Sequence, residues 1–418
     1  MIKTSSLFLS LIFFAQTAHA TAWNILGPRA MGMGGAGVAL AQGAVGSYWN
    51  PAGLGQVENP SGLQVPVSGH VAFSGSLLRG LNDIKTLNDN CPSGPNCQQS
   101  DINNAISDLS GPKSGVLADA GAGAELKIKK VTVFANDFVY AAAMPRVDAV
   151  NTAPATLVNN TSALLIHAIS VTEFGVGYWR ELPWVPGLLV GGNLKVLVGR
   201  VGYTKIGAFT VNSNNPFKSL MDNHAQSVQP GIDLGLLWDV NKTFENAWWR
   251  PRIGVTSRNI NNPRFKESSL GQTDGGYSNK FSLQGNTRAG IAISPMHFWN
   301  IAADMDLTRN VTPLGGVLSQ EMGIGTEVNV FNRSWINIPL RAGVRRNIAQ
   351  SDAHTALTAG FGLNFLHLIV DAAGMVTPSY QQSKSVGKSA RVPADIGAAV
   401  QLGFMFGGEA EKKPEPLP

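Results

Sequence analysis

No stretch of the 418 residues offers the roughly 18 consecutive apolar side chains that a membrane-crossing helix needs. Charge is scarce too. Asp, Glu, Lys and Arg make up 14% of the chain, against about 25% in soluble domains. This excludes a charge-rich disordered chain and a coiled coil. Two cysteines are too few for a disulfide scaffold or a zinc set, and no Cys-x-x-Cys redox pair is present. His70, His167, His224, His297, His354 and His367 are scattered without metal-ligand spacing, and there is no Gly-x-Ser-x-Gly elbow. Nothing here reads as a catalytic residue, a metal site or a cofactor motif, so an enzyme is not expected. The net charge is +5, and +5 less Lys3 leaves +4, too diffuse to indicate nucleic acid or another acidic partner.

What is present begins with an export signal. Lys3 supplies the positive start, Leu7 to Ala15 the apolar run, and Ala18-His19-Ala20 the small-x-small cleavage site. Residues 1–20 are read as a signal peptide, with the mature chain starting at Thr21. The apolar run is too short to span a bilayer, so the exported body must account for the rest.

That body alternates. Phe281, Leu283, Thr287, Ala289, Ile291 and Ile293 fall on one parity and Ser282, Gln284, Asn286 and Arg288 on the other. Trp299 to Thr308 repeats the pattern, with Asp304 and Asp306 on the polar side. Val228 to Asp239 places Asp233 there, Glu321 to Val330 places Glu327, and Ile336 to Arg345 places Arg341 and Arg345. Alternate residues of a strand point to opposite faces. The segments run about 10 to 14 residues, longer than ordinary strands and long enough to cross hydrocarbon at a tilt. Full charges on one face suit a wet lumen and are costly against lipid. Trp179, Trp184, Trp238, Trp248, Trp249, Trp299 and Trp335 lie near segment ends, where interfacial girdles belong.

The spacing predicts strands near 63–74, 115–128, 131–144, 162–181, 188–203, 226–240, 249–260, 280–294, 299–310, 319–332, 336–346, 354–365, 367–378 and 394–406. These are about 14, an even number as in single-chain bacterial barrels, and short connections alternate with long ones. The expectation is an all-β protein: a transmembrane antiparallel β-barrel over 61–406 in the outer membrane of a Gram-negative bacterium, in contact with its lipid. The mixed signs of Asp233, Arg288, Asp304, Asp306, Glu327, Arg341 and Arg345 predict ion pairing inside the lumen rather than a selective pore. Residues 407–418 are polar and Pro-rich and read as a disordered periplasmic tail.

Two segments break the alternation. In the first long outer loop, 75–114, the residues Leu77, Leu78, Leu81, Ile84, Leu87 and then Ile102, Ile106, Leu109 recur at helical spacing. They predict two short amphipathic helices over the mouth, forming either an apolar capture site for a hydrophobic ligand or a self-packed loop. Cys91 and Cys97 between them are expected to form one local disulfide in an oxidising compartment. The other segment, 21–60, is rich in Gly and Ala. Gly32, Gly34 and Gly37 match Gly-x-Gly-x-x-Gly, and Glu58 lies about 20 residues on. No strand precedes the glycines and no βαβ unit follows, so a dinucleotide site is rejected. Glycine here lets backbone pack in a confined space, and Asn50-Pro51 signals a turn.

Gly27-Pro28-Arg29-Ala30-Met31-Gly32-Met33-Gly34-Gly35-Ala36-Gly37-Val38-Ala39, followed by Trp49-Asn50-Pro51-Ala52-Gly53-Leu54, resembles the start of FadL-type long-chain fatty acid transporters, and most closely the TraF-like conjugal transfer outer-membrane proteins. Thr172-Glu173-Phe174-Gly175, Ala303 to Thr308 and Leu340 to Arg345 are similar to that relative as well. The resemblance implies an N-terminal hatch over 21–60 that plugs the barrel, with Asn50, Pro51 and Ala52 at the gating turn. It also implies passive uptake of a hydrophobic small molecule, long-chain fatty acid-like, with lateral exit through a kinked wall strand. The alternative it leaves is a structural or assembly component linked to conjugal plasmid transfer, with conjugation or surface-assembly proteins as partners. Poor alternation around Asn136-Asp137 in the third strand suits either a kinked wall or a misplaced boundary.

Overall fold

The computed structural model describes residues 23–406 except 57–59, 92–96, 112, 210–214, 245–246, 313–316, 334 and 386–387. The signal segment, Glu58 and the tail at 407–418 lie outside the described residues. Period-two alternation produces fourteen long strands: β1 Ser61–Ser74, β2 Gly115–Ile128, β3 Val131–Arg146, β4 Ala163–Glu181, β5 Leu188–Gly207, β6 His224–Asp239, β7 Arg252–Arg258, β8 Asn286–Met296, β9 Trp299–Asp306, β10 Glu321–Asn332, β11 Ile336–Asn347, β12 Ala356–Phe365, β13 Leu368–Val376 and β14 Asp395–Phe406. Each pairs antiparallel with its sequence neighbour. β14 returns to β1 with Ser61 opposite Phe406 and Ala72 opposite Asp395, closing the ring. Closure leaves no unpaired edge, which is what a sheet surrounded by lipid requires.

The two faces differ as parity demands. Phe174, Leu194, Val228, Ile291, Leu340, Phe361 and Phe404 are exposed on the outside, whereas Arg288, Asp304, Glu327 and Arg341 are buried inside. Tight turns close one end: Lys129 (φ 52°), Gly187 (φ 82°) and Leu366 (φ 51°) adopt the left-handed backbone there. Long loops crowd the other end, called the outer end below. Two helices, Leu77–Asn90 and Gln99–Leu109, cap it, and Cys91 is bonded to Cys97 between them.

One expected strand divides. Phe281 and Leu283 continue the outward parity of β8 in sequence, but they leave the wall. Lys280–Ser282 pairs instead with Arg264–Lys266 in a separate hairpin. Both side chains are buried against Ile169, Val171, Leu197, Val201 and Phe265. Burying two large apolar groups inside the mouth outweighs extending the wall strand.

Residues 23–56 run inside the ring. Their short elements are α1 Pro28–Gly32, α2 Gly46–Trp49 and a 3₁₀ turn Pro51–Gly55. At Gly34 (φ 69°) a Cβ would collide with the Val344 carbonyl of β11, so only glycine lets the segment lie this close to the wall.

Candidate functional site

The segment inside the ring is locked to the wall by polar contacts on nearly every side. Arg29 meets Glu327 with both guanidinium and carboxylate prongs, at 2.9 and 2.7 Å. The N–H groups of Gly37 and Val38 donate to the Asp304 carboxylate at 2.7 and 2.8 Å. Ser47 donates to Glu125 at 2.7 Å, and Asn193 donates to the Ser47 carbonyl at 3.0 Å. The partners sit on β10, β9, β2 and β5, so the plug is held from around the ring. Its core is aromatic. Trp23 stacks on Trp49 with centroids 6.0 Å apart, and Tyr48 lies 5.3 Å from Phe138 of β3. Two buried arginines clasp this cluster: Arg258 lies 3.9 Å from the Tyr48 ring and Arg288 lies 4.9 Å from that of Trp23.

At the expected gating turn, Asn50 is fully buried. Its amide donates to the carbonyls of Val38 (3.2 Å) and Leu236 (3.0 Å), and its Oδ1 accepts from the N–H of Ala52 (3.1 Å). One side chain therefore ties the plug to itself, to β6 and to the start of the 3₁₀ turn. Pro51 fixes φ for that turn, and the missing side chain of Gly191 on β5 admits its backbone.

The seven lumen charges fall into separate clusters. Arg288 pairs with Asp306 (2.6 Å), Arg345 with Glu321 (3.0 Å), and Glu327 with both Arg29 and Arg341, the latter also reaching Asp371 (2.7 Å). Asp233 pairs with Lys195 (2.9 Å), and Asp304 serves backbone rather than a cation. Lys195, Glu173, Arg258 and Asp371 complete these clusters. They share inward parity, the one signal that could have marked them, but sequence alone does not say which inward charges meet.

Two cavities flank the plug and share no lining residue. Toward the tight-turn end, about 300 Å³ lies beside Arg29, Gln42, Glu327 and Arg341. Above the plug, toward the long loops, about 550 Å³ opens. This outer cavity is walled by Phe73, Leu117, Ala141 and Val317, and His70, Asp119 and Asp395 stand on its lining. His70 on β1 bridges two strands: Nδ1 lies 2.8 Å from Asp119 on β2 and Nε2 lies 2.6 Å from Asp395 on β14. Both contacts are satisfied when the ring carries two protons. Across the same strands, on the lipid side, is an apolar groove of about 420 Å³ beside Val71, Ala118, Ala120, Val139, Ile396 and Ala398. Cavity and groove both touch His70, Ala118, Asp119 and Ala141, so the wall between them is one strand layer thick.

Of the two readings of the first outer loop, the structure has the self-packed one: its apolar residues do not line this cavity. Leu77, Ile84, Leu87, Ile102 and Leu109 are buried against one another, with Leu81 and Ile106 packed alongside and Leu78 half-buried outside that cluster. Two apolar helical stripes of matching width satisfy each other first. Trp179 is not in the girdle: it faces inward, where a Cβ on Gly55 of the plug would strike its ring. Trp184, Trp248, Trp249 and Trp335 are exposed near the tight-turn end. The third strand has no register break. β3 pairs without a register shift with β2 from Val131 to Ala143 and with β4 from Val131 to Arg146. Its parity looked poor because Asp137 faces outward, where the Ser170 and Thr172 hydroxyls donate to its carboxylate at 3.3 and 2.6 Å.

Residues 47–306 match the family described as "F plasmid transfer operon, TraF, protein". The chain belongs to that family. Its fold is shared with the P. putida toluene transporter TodX at TM-score 0.50 and 11% identity, covering 94% of this chain and 99% of that one. A TodX deltaS2S3 mutant, a monoaromatic hydrocarbon channel, superposes at TM-score 0.51 and 10% identity over 91% and 99%. A Pseudomonas aeruginosa FadL homologue gives 0.48 and 11% over 93% and 100%. At such identities the likeness is one of fold. No curated protein matches this TraF-family sequence.

Proposed function

We propose that this TraF-family chain is an outer-membrane barrel that takes up a hydrophobic small molecule passively. Ligand collects in the outer cavity and leaves through the thin β1–β2 wall into the lipid-facing groove. The observation that carries this reading is the back-to-back placement of the two spaces, one about 550 Å³ and one about 420 Å³. A cavity of that size suits a small ligand, and an apolar groove gives it a lipid destination without crossing the plug. Toluene and hydrocarbon channels of the same fold support the class of cargo. A long-chain fatty acid is a narrower version of the proposal. Residues 21–60 act as a hatch with its catch at Asn50, Pro51 and Ala52.

The family description favours a second reading, a structural component tied to conjugal transfer, and the dense locking of the plug agrees with it. Replacing Ala118 and Ala120 by Trp fills the groove from the lipid side and discriminates the two. Under transport, toluene uptake by proteoliposomes falls to the rate of protein-free vesicles while the barrel stays folded. If the unaltered chain moves toluene no faster than protein-free vesicles, uptake is wrong and the assembly reading stands.

A further inference from the structure

The lining of the outer cavity is not uniformly apolar, and its polar groups have a particular chemistry. Asp119 and Asp395 each give one oxygen to His70; among the described residues the second oxygen of each accepts no hydrogen bond. Both side chains are partly exposed, at 19% and 29%, and both line the cavity. Thr377 lines it as well. It is 1% exposed, its backbone N–H donates to the Asp395 carbonyl, and its hydroxyl has no partner among the described residues. A buried hydroxyl left unmatched is costly, so it marks a place where something else completes the bonding. Of the cations on the lining, Arg345 pairs with Glu321, Lys113 reaches Gln350 and Asp352, and Arg346 donates to the Ser351 carbonyl.

We propose that this cavity selects apolar molecules bearing a hydroxyl group, such as a phenol or an aliphatic alcohol, over bare hydrocarbons and over carboxylates. The proposal rests on the uptake reading for its purpose but concerns binding alone. A ligand hydroxyl donates to the free oxygen of Asp119 or Asp395 and bonds the orphaned Thr377 hydroxyl, while its apolar body lies against Phe73, Leu117 and Val317. A carboxylate has no proton to donate to the free oxygens of Asp119 and Asp395, so it cannot make the bond that a hydroxyl makes there. A bare hydrocarbon fills the space and leaves Thr377 unmatched.

The test is calorimetric binding of toluene, p-cresol and p-toluate to the full chain in detergent. The expected order is p-cresol tighter than toluene by about tenfold, the worth of one hydrogen bond, with p-toluate weakest. Thr377→Val, nearly isosteric, brings p-cresol down toward toluene and leaves toluene unchanged. Asp395→Asn tests the acceptor; if it fails to fold, the Thr377 variant still decides. Equal affinity for p-cresol and toluene, or tightest binding by p-toluate, overturns the proposal. Selective p-cresol binding without vesicle uptake would uphold the site and sink transport, so the two ideas fail separately.

Discussion

The lumen holds two regions built from the same wall and filled in opposite ways. Around the plug, Arg29, Asp233, Arg288, Glu327 and Arg341 are each ion-paired within 3.0 Å, and glycine lets backbones touch. One turn higher, at the β1–β2–β14 seam, the wall carries alanine, the lumen is open, and three charged groups face a cavity with bonding capacity to spare. The difference separates what is fixed from what is available. Charge-assisted bonds in a water-poor interior hold a plug in one place, whereas small side chains on both sides of a strand leave a thin wall. On the proposed uptake route, through the seam, ligand passes without disturbing the lock.

The comparison breaks most severely at Glu327. Glu327→Gln leaves Arg29 and Arg341 facing a neutral amide and is expected to cost about 3–5 kcal/mol in urea unfolding. It should also make residues 23–56 sensitive to added protease while the barrel stays intact. No change in protease sensitivity would show that the plug is held by packing instead. Asn50→Ala removes three hydrogen bonds, each worth about 1 kcal/mol, so roughly 2–3 kcal/mol is expected, with a higher rate of open-channel events in planar bilayers. An unchanged conductance record would remove Asn50 from any gating role.

Opening the Cys91–Cys97 bridge by Cys91→Ser with Cys97→Ser relaxes a short loop, worth about 2 kcal/mol to the helical cap. Toluene binding in the cavity should be unaffected, since the cap packs on itself. Loss of binding would place the cap in the site after all. The smallest effect is expected at Asp148 in the neighbouring outer loop. The Thr161 N–H, the Asn151 amide and the Val150 N–H hold its carboxyl far below the usual carboxylate range. With the folded value depressed, the stabilisation is complete above the unfolded value near ~3.9 and fades as pH falls below it. The protection of the Val150 and Thr161 amides, taken relative to their intrinsic exchange rates, should hold from neutral pH to about 5 and decline below about 4. Lost protection already at neutral pH in Asp148→Asn alone would confirm the cause, and no decline at low pH would refute it.

Much of this was legible without coordinates. Parity placed Asp233, Arg288, Asp304, Asp306, Glu327, Arg341 and Arg345 inside, and strand length with even count indicated a closed barrel. Helical spacing marked the cap and left open whether its two stripes would face each other or a ligand. His70 has no ligand spacing in the sequence, and nothing there links it to Asp119 or Asp395, each an unexceptional polar residue on an inward position. Thr377 follows the end of β13 and carries no periodic signal at all.

Alternation is a local property: whether a residue points in or out depends only on its neighbours in the same strand, and the linear chain carries that information whole. Which inward residues touch depends on register, stagger and the meeting of the first strand with the last. Only ring closure sets His70 against Asp395, 325 positions away, and only the competition for buried space pulls Phe281 out of the wall and into the mouth.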